Sequence, residues 1–382
     1  MNRKIRFGDL KINETARHYI SRAMDKNWIS QGDNVGEFEQ RFAQKFGYRH
    51  AIATSSGTDA NTCCCASLYY SGAERGGEII VPALCFVACP NSILAAGFVP
   101  RFVDIELETL NIDRLKIEGA ISSKTRAIMV VHTMGKPCPM DSILEIAKAH
   151  NLRVIEDCCE AHNAQYKGKV VGSFGDMGTF SFYTAHQIVC GEGGMVVTED
   201  DQIASAISSV KSHGRPLGEL YFDFQRIGFN SKMNELEAAI GLGELLDFNH
   251  TFSKRRENMS KLLKLTEDLT DYCYFPKEGD YEIISPHAFW LVLKKNTREY
   301  GCGKLYRYLE SKGIECKTLF GSLPTQHKAF EFLNYKYGDF PVAEYVGRNG
   351  LQFGIHQYLT DDDLGYTADV LRSYFDKLLE GL

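Results

Sequence analysis

An α/β fold, with a mostly parallel sheet covered by helices and a smaller α+β unit after it, is predicted by three features of the sequence. Short β-rich runs alternate with helical patterns from about residue 48, the alternation lapses near residues 229–243, and the remaining chain closes on an amphipathic helix. Such alternation lays successive strands parallel, because each crossover helix returns the chain to the same edge of the sheet. The β-rich runs are 50–54, 78–81, 99–104, 126–131 and 153–157, with a helix after the first that reaches Leu68. Residues 233–242 read as a buried helix and the charged stretch 253–257 follows, which sets the expected boundary at 250. The chain then divides into a large unit, 1–250, with an N-terminal arm, and a small α+β unit, 251–382, ending in the amphipathic stretch 368–379.

Composition narrows the class of protein. In 382 residues, 44% are hydrophobic and 24% charged, the balance of a chain that buries a large core. No stretch is long and apolar enough to span a bilayer, and the basic N-terminus has no apolar run behind it, so a cytoplasmic protein is expected. The twelve cysteines sit in apolar stretches such as Cys63-Cys64-Cys65 and Cys158-Cys159, as small, reduced core residues do. Consecutive helical residues point in different directions and cannot close around one ion, so no metal site is expected. With 49 acidic against 43 basic residues and no dense Lys/Arg stripe, nucleic acid is excluded as a partner.

Three motifs carry the chemistry. Residues 53–61, Ala-Thr-Ser-Ser-Gly-Thr-Asp-Ala-Asn, end a strand in hydroxyls and glycine and open a helix, where backbone amides suit either a phosphate or ordinary capping. The apolar run 152–155 ends in Glu156-Asp157, at the sheet edge where open α/β folds take ligands. Asp157 there can pair with a protonated ring nitrogen, or serve as a helix cap or surface ion pair. The densest motif is 172–196, which includes Ser181-Phe182-Tyr183-Thr184-Ala185-His186-Gln187 and Gly191-Glu192-Gly193-Gly194.

On these residues the chain resembles the DegT/DnrJ/EryC1/StrS family of sugar-nucleotide aminotransferases and dehydratases. The resemblance runs along nearly the whole chain through Phe38-Glu39-Gln40-Arg41-Phe42-Ala43, the Ser-Ser-Gly-Thr turn, Val81-Pro82-Ala83, Phe102-Val103-Asp104-Ile105, Glu156-Asp157 and Gly228-Phe229-Asn230. It implies an aspartate-aminotransferase-like (type I) fold and pyridoxal 5'-phosphate, or its amine form pyridoxamine 5'-phosphate, as cofactor. The family lysine that binds the cofactor covalently is replaced here by His186, and no lysine lies between Lys169 and Lys211.

Histidine within Tyr183-Thr184-Ala185-His186-Gln187 resembles the branch that removes the C3 hydroxyl of nucleotide-linked 4-keto-6-deoxyhexoses. An imidazole moves protons near neutral pH but does not tether the cofactor. The resemblance implies that the cofactor amine condenses with the sugar C4 ketone. His186 then removes a proton from the cofactor's C4′ carbon and assists loss of the C3 hydroxyl, and L-glutamate restores the amine. It further implies Gly57, Thr58 and Ser181 as phosphate ligands, Phe86 as the ring stacked on the pyridine, Asp157 as partner of the pyridine nitrogen, and Glu160 as a polar neighbour of the ring. Asn230 would reach the partner's cofactor phosphate across a homodimer, His213 would lie in the cofactor region, and Lys317 would contact the sugar or its diphosphate. Lys232 departs from the family's usual arginine, losing a bidentate fork.

Between Gly191 and Tyr272 there is no cysteine, which favours a cluster-free enzyme over one ligating an iron–sulphur centre. GDP-4-keto-6-deoxy-D-mannose is the substrate expected by analogy. A sugar-nucleotide 4-aminotransferase and a non-catalytic sugar-nucleotide binding protein stay open as alternatives.

Overall fold

Each apolar run named above becomes a strand, and their order in space explains where the polar motifs gather. The computed structural model describes residues 4–216, 224, 226–295, 301–320 and 323–380. Strands β1 (His50–Thr54), β2 (Glu78–Pro82), β3 (Val99–Val103), β4 (Thr125–Val131) and β5 (Arg153–Asp157) are followed by two short strands, β6 (Gln165–Tyr166) and β7 (Lys169–Val170). Next come β8 (Met177–Ser181) and β9 (Gly194–Thr198). A seven-stranded sheet forms in the order β1-β9-β8-β5-β4-β2-β3. Neighbours from β8 to β3 pair parallel, whereas β9 runs antiparallel to both β8 and β1. The C-terminal ends of β1, β2, β5 and β8 therefore share one edge, which is where such sheets bind ligands.

Small side chains let the helix Gly57–Ser67 sit deep in the molecule. Cys63, Cys64, Cys65 and Ala66 are buried on all of its sides, and it packs on the helix Ala88–Ala95 as well as on β8 and β9. All twelve cysteines are free thiols, and burial pushes that of Cys63 up to about 12 and those of Cys64 and Cys65 well above the ordinary thiol range. They act as compact core residues.

The helix Glu235–Leu265 runs without a break through residue 250. Asn234 and Glu237 close its start with a reciprocal capping box. Glu235, itself buried, accepts the Asn34 and Val35 backbone N–H groups at 2.8 and 3.0 Å. It thereby caps the helix Asp33–Phe46, whose own cap residue is the side-chain-free Gly32.

After this helix come β10 (Cys273–Tyr274), β11 (Glu282–Ile283), β12 (Phe289–Leu293), β13 (Cys316–Thr318) and β14 (Gly350–Phe353). A four-stranded antiparallel sheet, β10-β12-β14-β13, has its own core of Phe289, Leu291, Leu305, Leu351 and Phe375. The N-terminal arm joins this part of the molecule: Ile5 bridges Ile314, and Glu315 accepts the Phe7 N–H at 3.1 Å. Division at residue 250 is our proposal, with the long helix shared by both parts. Among the described residues, no helix is long and apolar enough to cross a membrane.

A buried charge organises the centre of the large sheet. Glu156 on β5 has no exposed surface, yet accepts N–H groups from Gly172, Phe174 and Gly175 at 2.7–2.8 Å and faces His132 Nε2 at 3.1 Å. His132 Nδ1 takes the Cys138 N–H at 3.0 Å, so the proton of this ring lies on Nε2, toward Glu156. Although His132, Glu156 and Cys158 lie close enough to hold an ion, both histidine nitrogens are committed to protein partners. The cluster is a hydrogen-bond network that fixes the loop leading into β8.

Candidate active site

The turn after β1 separates its capping hydroxyls from the groups left open. Ser56 caps the helix Gly57–Ser67 by accepting the Asp59 N–H at 3.0 Å, and Asp59 in turn accepts the hydroxyls of Ser55, Ser56 and Ser231 at 2.5–3.0 Å. Capping is thus done by Ser56. Gly57 is pressed against the end of β8: a Cβ there would stand 2.6 Å from Ser181 Cβ and 3.0 Å from Cys159 Sγ. The missing side chain leaves the helix N-terminus and the Ser181 hydroxyl facing one small cradle, as a phosphate requires. Thr58 presents an exposed side chain on the first turn, while its carbonyl accepts the hydroxyls of Thr62 and Ser92.

Asp157 is 5% exposed at the C-terminal end of β5. Its Oδ2 accepts Asn61 Nδ2 at 2.8 Å and Cys89 Sγ at 3.3 Å, and its Oδ1 accepts the Cys159 N–H at 3.0 Å. Asn61 Oδ1 takes the Thr179 hydroxyl at 2.8 Å, which orients the amide so that its NH₂ faces the carboxylate. A carboxylate held this way is a fixed negative point on the sheet edge, and no ion pair engages it among the described residues. Phe86, in the turn after β2, is 63% exposed, so its ring is free to cover a flat ligand.

His186 sits in the loop after β8, half-buried, among other imidazoles. Its ring centre is 5.0 Å from His287, 6.2 Å from His162 and 6.3 Å from Tyr183. Burial, reinforced by His287, His162, Arg255 and Lys317, holds His186 well below the ordinary histidine range. It is a neutral imidazole, able to accept a proton. His162 and His287 are each pushed down to about 3, chiefly by burial. Glu160 is pushed up to about 8 by burial, against the pull of the Met134 N–H that donates to its Oε2 at 2.7 Å.

Gln187 locks the loop from beneath. Its Nε2 donates to the carbonyls of Glu160 and Ser285 at 2.9 and 3.0 Å, and its Oε1 accepts His162 Nδ1 at 2.9 Å. Arg255 completes the anchor: it donates to the carbonyls of His186, Pro286 and His287 at 3.0–3.3 Å.

The structure brings Gly57, Ser181, Asp157, Glu160 and His186 together along one edge. Lys317 on β13 approaches from the small sheet, its Nζ 4.3 Å over the Phe7 ring, and it depresses His186 electrostatically. His213 and Asn230 are exposed on a segment paired through Ser212 and Asn230, and Ser231, next to Asn230, donates to Asp59 and accepts the Ser55 N–H at the turn after β1. Lys232 donates to Asn230 Oδ1. His162, Arg255 and His287 escape the sequence reading. Arg255 lies inside a charged stretch that looks solvated, and the two histidines fall outside every recognisable motif. Asn61 carried a signal, since a polar residue one turn into an otherwise apolar helix needs a buried partner.

An aminotransferase fold for pyridoxal phosphate is the class that this sheet edge and its residues define. The chain belongs to the DegT/DnrJ/EryC1/StrS aminotransferase family, whose model matches residues 10–372. It is 34% identical to a GDP-perosamine synthase of Caulobacter vibrioides, over 93% of this chain and 94% of that one. With a GDP-4-keto-6-deoxy-D-mannose 3-dehydratase of Yersinia pseudotuberculosis it shares 30% identity over 94% of this chain and 96% of the relative. Its backbone is similar to that of a histidine-to-asparagine variant of GDP-4-keto-6-deoxymannose-3-dehydratase with bound GDP-perosamine. That match has a TM-score of 0.88 and 28% identity, and covers 96% of this chain and 100% of the other. The cofactor is pyridoxal or pyridoxamine phosphate, and the open cradle at Gly57 and the fixed Asp157 fit its phosphate and ring nitrogen.

Two outcomes follow from this geometry. Gly57→Ala puts a methyl into Ser181, so affinity for pyridoxal phosphate should fall by about tenfold or more, a change of ~1.4 kcal/mol, in absorbance titrations of a protein whose circular dichroism is unaltered. For Glu160, a folded value of about 8 against an ordinary 4.5 means that its contribution to stability is complete below pH 4.5 and is lost as pH rises through 8. Urea midpoints of the cofactor-free protein should therefore drop between pH 5 and 8 more steeply than those of Glu160→Gln, in which this group cannot titrate.

Proposed function

We propose that the chain is a pyridoxamine phosphate-dependent 3-dehydratase of a nucleotide-linked 4-keto-6-deoxyhexose, with GDP-4-keto-6-deoxy-D-mannose as the first substrate to test and L-glutamate as the amine donor. The observation that carries this reading is a neutral His186 where the family places its cofactor-binding lysine. Nearby lysine amines are engaged elsewhere: Lys211 Nζ donates to Ala53 O at 2.8 Å and Glu39 at 3.1 Å, and Lys317 Nζ lies over Phe7. An imidazole in the lysine's place, with these amines engaged, moves protons without anchoring the cofactor covalently.

In this reading Gly57, Thr58 and Ser181 hold the phosphate, Phe86 covers one face of the ring, Asp157 keeps the ring nitrogen protonated, and Glu160 borders the ring. The cofactor, bound as its amine, supplies the electron sink that weakens the sugar C3–O bond. His186 takes up a proton at Nε2 and delivers one to the departing C3 oxygen. Lys317 meets the sugar or its diphosphate with a positive charge. We further propose a homodimer in which Asn230, with His213 nearby, faces the partner's cofactor phosphate; the exposed apolar Trp28, Ile29 and Ile227 suit such an interface.

A second reading, a 4-aminotransferase, is favoured by the 34% identity to the GDP-perosamine synthase. The two part on product. Incubated with pyridoxal phosphate, L-glutamate and GDP-4-keto-6-deoxy-D-mannose, a dehydratase releases ammonia and 2-oxoglutarate and yields a 3-deoxy-4-keto sugar. An aminotransferase yields a stable 4-amino sugar and no ammonia, which would overturn our reading. His186→Asn should lower dehydration by about 10²–10⁴-fold, the usual worth of a positioned acid–base group, in a kcat measurement.

A further inference from the structure

Three ring nitrogens near the site are buried without partners, on His162, His186 and His287, and the rings of the last two lie near enough to meet. His186 Nδ1 is buried with no hydrogen-bond partner, so this ring offers only Nε2 outward. His287 is 6% exposed, and its Nδ1 is likewise buried and partnerless. Partnerless buried nitrogens are costly unless they find each other when the site is at work. Ring centres 5.0 Å apart allow a nitrogen of one imidazole to reach a nitrogen of the other. At 6.2 Å, the distance to His162, they do not.

Beyond His287 stands a second group able to hold a proton. His287 Nε2 faces Glu160 Oε1 at 3.8 Å, while Glu160 Oε2 is occupied by the Met134 N–H. Such contacts are commonly long in a site without ligands and tighten when one binds. The other charged groups facing these rings cannot take a proton: Arg255 and Lys317 are donors only, and Arg255 is spent on backbone carbonyls. Asp157, the other carboxylate acting on Glu160, is held by Asn61, Cys89 and the Cys159 N–H. His162 is fixed with its proton on Nδ1, because the amide NH₂ of Gln187 is turned to carbonyls and only its oxygen faces the ring.

We propose that His287 is a positioning residue which couples the tautomer of His186 to the protonation of Glu160. With Glu160 ionised, His287 donates Nε2–H to it and accepts His186 Nδ1–H, leaving His186 Nε2 with a free lone pair. With Glu160 protonated, each hydrogen moves one place along the chain: Glu160 donates to His287 Nε2, His287 Nδ1–H faces His186 Nδ1, and His186 carries its proton on Nε2. A proton taken up at Nε2 is balanced by one passed from Nδ1 through His287 to Glu160, and the reverse transfer readies His186 as an acid. His186 stays neutral in both states. This deepens the dehydratase reading and rests on it for the use of the proton, but the tautomer can be measured without turnover.

The experiment is a ¹⁵N-histidine NMR titration of the full-length protein from pH 6.5 to 9.5, with His186 assigned by the signal lost in His186→Asn. The carboxyl of Glu160, raised to about 8, sets the midpoint. His186 should carry its proton on Nε2 at the low end and on Nδ1 at the high end. His287→Phe and the milder His287→Gln should both abolish this change, as should Glu160→Gln, while the remaining histidine signals persist. A His186 tautomer that is the same at both ends, or that still changes in the His287 variants, overturns the proposal. The product assay judges the dehydratase reading separately: a 4-amino sugar from a protein whose tautomer changes as described would retire that reading and leave the coupling standing.

Discussion

One buried cation, Arg255, holds the two halves of the histidine cluster in register. It is 2% exposed on the long helix Glu235–Leu265, and burial pulls its guanidinium down to about 10. Among the described residues no carboxylate bonds to it; Glu244 supplies the largest favourable charge and is itself raised to about 7 by burial. Its donors instead take the carbonyls of His186, Pro286 and His287 and the side chain of Gln357. Hydrogen bonds from a charged donor are worth about 1.5–3 kcal/mol each, enough to hold a loop and a strand entry against thermal motion. The fork geometry of arginine matters, because a lysine offers one charge centre and could not reach both segments.

From that anchor the chemistry follows by exclusion of water and charge. The imidazoles of His162, His186 and His287 crowd beneath the sheet edge with Arg255 and Lys317 nearby, so each added positive charge is resisted. A neutral His186 results, present wholly in its proton-accepting form where an exposed ring would be partly protonated. The same burial works in the opposite direction on Glu160, which keeps its proton far above the ordinary carboxylate range. Acid and base are thereby set apart by environment alone. Asp157 is stabilised differently, by three donors arranged around its two oxygens.

Much of this was legible in the sequence, for definite reasons. The strand runs 50–54 and 153–157 matched their structural bounds because a short β-branched or apolar centre, Ile52 in one and Val154-Ile155 in the other, sits between turn signals and leaves few alternatives. The helix starting near residue 233 was recognised at its N-terminus, where Asn234 and Glu237 form the cap, but its length was not, since its charged second half hides the buried Arg255 and Asn258. His186 and Ser181 stood out through the family resemblance of residues 172–196, and Asp157 also as the carboxylate that ends an apolar run. His287 and His162 did not, because they meet His186 through tertiary packing and no spacing along the chain encodes that.

With His186 in place of the family lysine, the cofactor is expected to have no covalent anchor to the chain. The most direct test is a denaturing mass spectrum of the full-length protein loaded with pyridoxal phosphate and reduced with borohydride. A chain at its unmodified mass is expected, with the cofactor released on denaturation. A reduced cofactor found bonded to a lysine, Lys211 or Lys317 above all, would contradict it.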